Sequence, residues 1–306
     1  MSRFQKFKGL IAAPFTPMDK SGLLNLSAIK PYADLLVAQG VRGAFICGTT
    51  GEGFSMTVEE RKAVAEEWVK AAEGRLKVIV HVGHNCCADA VKLAGHAARI
   101  GADAIASIAP NFYKPCCVDD LVAFFEPVAA AAPSLPFYYY NMPSMSGVSL
   151  PVVEFLKKAG QSIPNLQGVK FTHNNFMEMN EALSYDGGRF EILHGFDEML
   201  LCGLAIGAEA AVGSTYNYAA NIYNGILEAF GKGDVEKARE LQRYSVEIVK
   251  VIIKYGGGVL GGKAIMNLLG IRCGECRTPL HRFTDDEYCM LRKDLEAIGF
   301  FEKCKV

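Results

Sequence analysis

Eight short apolar segments constrain what this chain can fold into: residues 9–13, 43–47, 78–82, 104–108, 137–140, 168–171, 191–194 and 210–213. Their hydrophobicity is nearly continuous rather than alternating. A strand covered on both faces has that pattern, and helices packed against a parallel sheet provide the cover. The segments between them carry helical periodicity. Thr57, with Glu60 three residues on, forms a capping pair that opens a run to Ala72. Residues 88–100 place apolar side chains at 91, 94, 97, 98 and 100, and residues 118–132 stop before Pro133. Gly40, Gly101 and Gly207 each follow a helical run and lead into an apolar segment, as a helix C-cap feeding a strand does.

Eight strands alternating with helices predict an α/β fold, a (β/α)8 TIM barrel, with a doubly wound open sheet as the alternative. Beyond about residue 222 the strand pattern ends and helical runs cover 222–230, 235–255, 262–269 and 285–298. The predicted organisation is a barrel over residues 1–230, with the active site at the C-terminal ends of its strands, and a helical C-terminal extension over 231–306 packed on the barrel. No Pro/Gly/Ser-rich linker separates them.

The chain has 306 residues, half of them hydrophobic, and a formal net charge of -1. Without a basic stripe there is no electrostatic footprint for nucleic acid or an anionic membrane, so a small polar metabolite is the expected partner. No stretch approaches the roughly 20 uninterrupted apolar residues of a membrane span. The apolar run at residues 9–13 is shorter than the roughly 7–15 residues of a secretory core. A soluble, cytoplasmic protein is expected. Of the ten cysteines, Cys86-Cys87 and Cys116-Cys117 are adjacent pairs, Cys47, Cys202 and Cys289 sit in apolar segments, and Cys273-Gly-Glu-Cys276 is a lone CxxC. That spacing suits neither a disulfide framework nor a zinc ribbon, and reduced thiols are expected. His81, His84, His96 and His173 show no ligand spacing with acids or cysteines, and no metal site is proposed from the sequence.

In a barrel of this type the C-terminal strand ends carry the chemistry. Five of them end in polar residues: Gly48-Thr-Thr-Gly-Glu-Gly, Tyr138-Tyr-Tyr-Asn-Met-Pro, Lys170 with Thr172, His194-Gly-Phe-Asp-Glu, and Gly213-Ser-Thr-Tyr. Lys170 lies inside a buried strand pattern, where an unpaired ammonium is costly. Desolvation favours the free amine, which is the form that attacks a carbonyl. The alternative is a lysine that reaches solvent or pairs with an acid. Gly48-Thr-Thr-Gly-Glu is either an anion cradle of hydroxyls and turn amides or a plain turn. Asp197 and Glu198 either bind substrate hydroxyls or begin a helix as favourable N-terminal acids. Tyr138 and Tyr139 read as packing residues.

These motifs resemble those of the N-acetylneuraminate lyase and dihydrodipicolinate synthase family of class I aldolases. The resemblance runs from Ile11-Ala-Ala-Pro-Phe-Thr-Pro to the C-terminal helices. It rests on Gly48-Thr-Thr-Gly-Glu, Tyr140-Asn-Met-Pro, Gly168-Val-Lys and Gly213-Ser-Thr, in family order. It implies that Lys170 forms a covalent imine with a 2-oxo acid and that Tyr140 relays the proton, with no cofactor besides that imine. Thr49 and Thr50 would hold the pyruvate carboxylate, Thr49 standing where many relatives have Ser. A tyrosine from a neighbouring subunit joins the relay in the family, and Tyr113 is the candidate here. Homotetramers are implied.

Within the family, synthases read Tyr-Asn-Val-Pro-x-Arg-Thr, and the Arg binds a substrate carboxylate. This sequence has Met145 at that position, and a thioether cannot form a bidentate carboxylate pair. Gly195-Phe-Asp197-Glu198 instead resembles the lyase branch. There the acids would bind the hydroxyls of a sugar chain, assisted by Thr172, Gly195 and Ser214. The implied reaction is reversible cleavage of N-acetylneuraminate to pyruvate and N-acetyl-D-mannosamine. The alternatives are a synthase or sugar-acid aldolase on the same lysine, or a non-catalytic 2-oxo acid binder.

Overall fold

In the computed structural model, which describes residues 4–304, the eight apolar segments are eight parallel strands. They are β1 (Gly9–Ala12), β2 (Gly43–Ile46), β3 (Lys77–His81), β4 (Ala104–Ile108), β5 (Phe137–Asn141), β6 (Leu166–Phe171), β7 (Glu191–His194) and β8 (Ala210–Gly213). They pair in sequence order, and β8 closes on β1, so the sheet is a TIM barrel with no free edge. The open sheet is thereby excluded. Most strand boundaries match the sequence pattern to within a residue or two. Cys47 falls outside β2 because its backbone turns to φ 57°.

Thr57 and Glu60 form the expected reciprocal cap of the helix Val58–Ala72. The other predicted helices are Cys87–Arg99, Val118–Ala130, Ala220–Gly231, Val235–Lys254, Gly257–Leu268 and Asp285–Ala297. Among the described residues no helix is long and apolar enough to cross a membrane.

Strand parity divides the core in two. One set of side chains, including Ile11, Phe45, Ile79, Tyr138, Tyr140 and Leu193, fills the barrel interior. The alternate set, including Tyr139, Val169 and Phe171, packs outward against the helices. Tyr139 is therefore a packing residue, with its ring 4.8 Å from that of Phe155. Tyr138 does more than fill space. Its hydroxyl donates to Glu191 Oε2 at 2.6 Å, inside the barrel and away from the catalytic rim, where Phe7 N–H donates to Oε1 at 2.6 Å. Gly168 lies in register between Tyr138 and Glu191, and a Cβ there would come within 1.8 Å of the Glu191 carbonyl oxygen. That contact explains the glycine in Gly168-Val-Lys.

Burial pushes the Glu191 carboxyl up to about 7, against the opposing hydrogen bonds from Tyr138 and Phe7. Between its ordinary 4.5 and about 7, the folded protein holds a proton that the unfolded chain has released. Glu191 thus makes folding less favourable as pH rises through that window. Thermal melts of Glu191→Gln against wild type should show a difference in Tm that moves in the variant's favour as pH rises. A difference constant across the window would show that Glu191 does not titrate in the folded state.

Candidate active site

A cavity of ≈ 370 Å³ opens at the C-terminal ends of the strands. Register places its reactive pair. Tyr140 in β5 stands directly beside Lys170 in β6, and both belong to the parity that faces the interior. Lys170 is 5% exposed. Its Nζ lies 3.9 Å from the centroid of the Tyr140 ring and 4.2 Å from that of Phe45. It therefore neither reaches solvent nor pairs with an acid. Its ammonium packs on two aromatic faces at the cavity. A lysine held this way, against ring faces and without a counter-ion, is placed for nucleophilic chemistry.

The Tyr140 hydroxyl is 3.3 Å from Thr49 Oγ1 and 2.9 Å from Met142 Sδ. Met142 was not singled out in the sequence. The period of two along β5, continued past its end, is the signal that would have found it. Behind Tyr140 lies His81, whose ring meets it edge-on at 5.8 Å. Burial, and then the charge of Arg61, hold this imidazole well below its ordinary value, so it is neutral. Its Nδ1 lies 3.1 Å from the Cys47 carbonyl and its Nε2 accepts from Ile108 N–H at 3.2 Å. His81 thus props the tyrosine ring with a neutral edge.

Thr49 and Thr50 line the cavity on a tightly wound loop. Gly53 N–H bonds the Gly48 carbonyl at 3.0 Å, and a Cβ on Gly53 would fall 1.9 Å from the Cys47 carbonyl oxygen. Thr16 Oγ1 donates to the Gly51 carbonyl at 2.6 Å. Glu52, the last residue of the cradle motif, turns away from the cavity. It is 1% exposed and its Oε1 accepts from the equally buried Lys263 Nζ at 2.7 Å. This ion pair across more than 200 residues had no signature in the sequence.

On the opposite wall Asp197 is buried, and its Oδ2 accepts from Thr215 N–H at 2.8 Å and Thr215 Oγ1 at 2.7 Å. Burial pushes it up to about 7, against those two hydrogen bonds. Its other oxygen lies where a Cβ on Gly213 would approach to 2.0 Å, which accounts for the glycine of Gly213-Ser-Thr. Glu198, half-buried, and Ser214 line the cavity beside it. Thr172 and Gly195 meet across the same wall. Thr172 Oγ1 is buried without a protein partner, and a Cβ on Gly195 would come within 2.0 Å of it. Met145 stands at the mouth, 58% exposed.

The helical extension contributes directly. Ile252, Ile253, Gly258 and Val259 close one side of the cavity, and Gln242 Nε2 donates to the Asp197 carbonyl at 3.2 Å. The sequence pattern places the site on the barrel alone, because a helical pattern does not show which helix closes a cavity. Tyr113 is not brought to the cavity of its own chain. It is 87% exposed and packs edge-on against Phe112 at 5.0 Å. All ten cysteines are free, but Cys202 and Cys289, read as lying in apolar segments, are exposed, because each occupies the outer face of an amphipathic helix. His84, read as lacking ligand partners, lies beside Cys86 and Asp89. The turn into the helix Cys87–Arg99 folds those residues back on one another.

Residues 6–298 match the family model described as the dihydrodipicolinate synthetase family. The chain belongs to this family. Among family members it is 43% identical to N-acetylneuraminate lyase of Gallus gallus over 302 residues, which is 97% of this chain and 98% of that protein. It is 46% identical to N-acetylneuraminate lyase of Xenopus tropicalis over 280 residues, 90% of this chain and 92% of the relative. Its structure is similar to that of Proteus mirabilis N-acetylneuraminate lyase, with a TM-score of 0.94 and 44% identity over 97% of this chain and 100% of that one. A family structure named as a dihydrodipicolinate synthase superposes with a TM-score of 0.87 at 29% identity, over 96% of this chain and 100% of that chain.

Proposed function

We propose that this protein is a Schiff-base aldolase, a carbon–carbon lyase that reversibly cleaves N-acetylneuraminate to pyruvate and N-acetyl-D-mannosamine, with no cofactor beyond the imine on Lys170. The observation that carries the chemistry is the unpaired, buried Lys170 amine beside the Tyr140–Thr49 hydroxyl pair. The Lys170 amine adds to the C2 ketone of the open-chain sugar acid, and loss of water gives an iminium. Thr49 and Thr50 hold the adjacent carboxylate. The electrons of the breaking C3–C4 bond flow into the iminium, so no metal is required as electron sink. As the aldehyde forms, the C4 hydroxyl proton passes to Tyr140, which hands its own to the substrate carboxylate beside Thr49, the base that holds it until C3 is protonated. The enamine left on Lys170 is protonated at C3, and water releases pyruvate and restores the amine.

The substrate assignment rests on the far wall. A synthase needs a cation for its second carboxylate, and Met145 offers a thioether there. Asp197, Glu198, Ser214 and Thr172 offer hydroxyl partners along a polar chain instead, and the relatives' names agree with that reading. We also assign Tyr113 to the cavity of a neighbouring copy in a homotetramer, and the free cysteines fit a reducing, cytoplasmic setting.

Incubation with pyruvate and borohydride should add one reduced pyruvyl group, located by peptide mass mapping on Lys170. A coupled assay should show pyruvate release from N-acetylneuraminate far faster than condensation of pyruvate with aspartate semialdehyde. A folded sample that gives no adduct would overturn the mechanism, and the reverse order of rates would overturn the substrate.

A further inference from the structure

Outside the cavity, the geometry points to a binding site for a zinc-class divalent cation formed by His84, Cys86 and Asp89 where the loop after β3 enters the helix Cys87–Arg99. An imidazole nitrogen, a thiol sulfur and a carboxylate oxygen from these residues all lie within 4.8 Å of one another. His84 Nδ1 and Asp89 Oδ2 are 4.0 Å apart, close enough to share a metal after a small rotation of either side chain. The set is held by the fold rather than assembled from loose surface groups. The Cys86 carbonyl accepts the Asp89 and Ala90 amides at 3.2 and 3.1 Å, which fixes Cys86 and Asp89 within the first turn of one helix. Cys86 N–H donates to His84 Nδ1 at 2.9 Å, which turns the ring toward the other two ligands. A cation bound at Nδ1 would displace that hydrogen bond, whose groups are exposed and can turn to water.

Lys92 competes for the carboxylate, at 2.9 Å from Asp89 Oδ1, but the oxygen facing His84 is the other one. One sulfur, one nitrogen and one oxygen donor select zinc or cobalt over magnesium or calcium, which prefer oxygen alone. Three protein ligands leave a fourth tetrahedral position for water. The site also has a neighbour of consequence. Asn85, between two of the ligands, accepts the Asn111 and Phe112 amides through Oδ1 at 2.9 and 3.2 Å. A bound cation would therefore brace the loop that presents Tyr113.

The probe is cobalt(II) titrated into the reduced, metal-free full-length protein, read as thiolate-to-cobalt charge-transfer absorption. One equivalent should bind with that band. Cys86→Ser should abolish the band, while His84→Gln and Asp89→Asn should weaken binding by on the order of 10-fold or more. Cys116→Ser and Cys117→Ser should leave it intact. Zinc should also protect Cys86, and not Cys116, from alkylation as mapped by mass spectrometry. A band that survives Cys86→Ser, no band in the wild type, or no protection of Cys86 would overturn the site.

Discussion

Lys170→Ala should leave a folded barrel that traps no pyruvate under borohydride and releases none from N-acetylneuraminate, with activity reduced by on the order of 10⁴-fold or more. Among the described residues Lys170 is the only lysine on the cavity wall, so no neighbouring amine there can take over the imine. The variant should not lose stability in proportion. Lys170 packs on ring faces and holds no salt bridge, so its removal breaks no ion pair. Thermal melting beside the kinetic assay separates the two effects. Tyr140→Phe provides the contrast. It keeps the amine and the carboxylate cradle, so the pyruvyl adduct should still form while cleavage slows by roughly 10²- to 10⁴-fold, the range for a lost proton-transfer group. Loss of the adduct in Tyr140→Phe would show that the tyrosine is needed for imine formation rather than for the aldol step.

The largest stability effect should come from a residue that never meets substrate. Lys263→Met should destabilise the fold by about 3–5 kcal/mol, the usual result of removing one partner of a buried ion pair. Both side chains are 1% exposed, so solvent does not screen the pair. Without Lys263, Glu52 Oε1 loses its ammonium partner, while the Arg277 amide, at 2.8 Å from Oε2, still serves the carboxylate. Glu52 itself holds a left-handed backbone at φ 53°, and its N–H bonds the Thr49 carbonyl at 3.1 Å. Disturbing it should loosen the Thr49–Thr50 cradle, and the affinity for pyruvate should fall as well. Urea unfolding of Lys263→Met, Glu52→Gln and the double variant checks the argument. The double variant should recover part of the loss, because it leaves no unpaired buried charge. Additive losses would show that the two residues act separately.

The strands and their order were legible because burial on both faces leaves a run of apolar residues that no other element needs. The barrel's punctuation was legible too: the Thr57–Glu60 cap works locally, and local interactions are written in neighbouring residues. Lys170 stood out for the opposite reason, as a charge where the pattern allowed none. The roles of Tyr140, Thr49 and Asp197 came from motif resemblance, and the structure then placed them around one cavity.

The rest depended on residues far apart in sequence. Lys263 reads as an ordinary helical lysine until the chain folds it onto Glu52, and Tyr138 reads as packing until Glu191 arrives beneath it. The wall made by Ile252, Ile253 and Gly258 is invisible in a helical pattern that only marks which face is apolar. Met142 and His81 needed the parity of two strands to be known together. The sequence by itself determined the periodicities, and hence the elements and the one lysine that violates them. Tertiary structure alone decided which distant groups share a low-dielectric space, because the strength of a charge or hydrogen bond depends on the neighbours and the water that folding leaves around it.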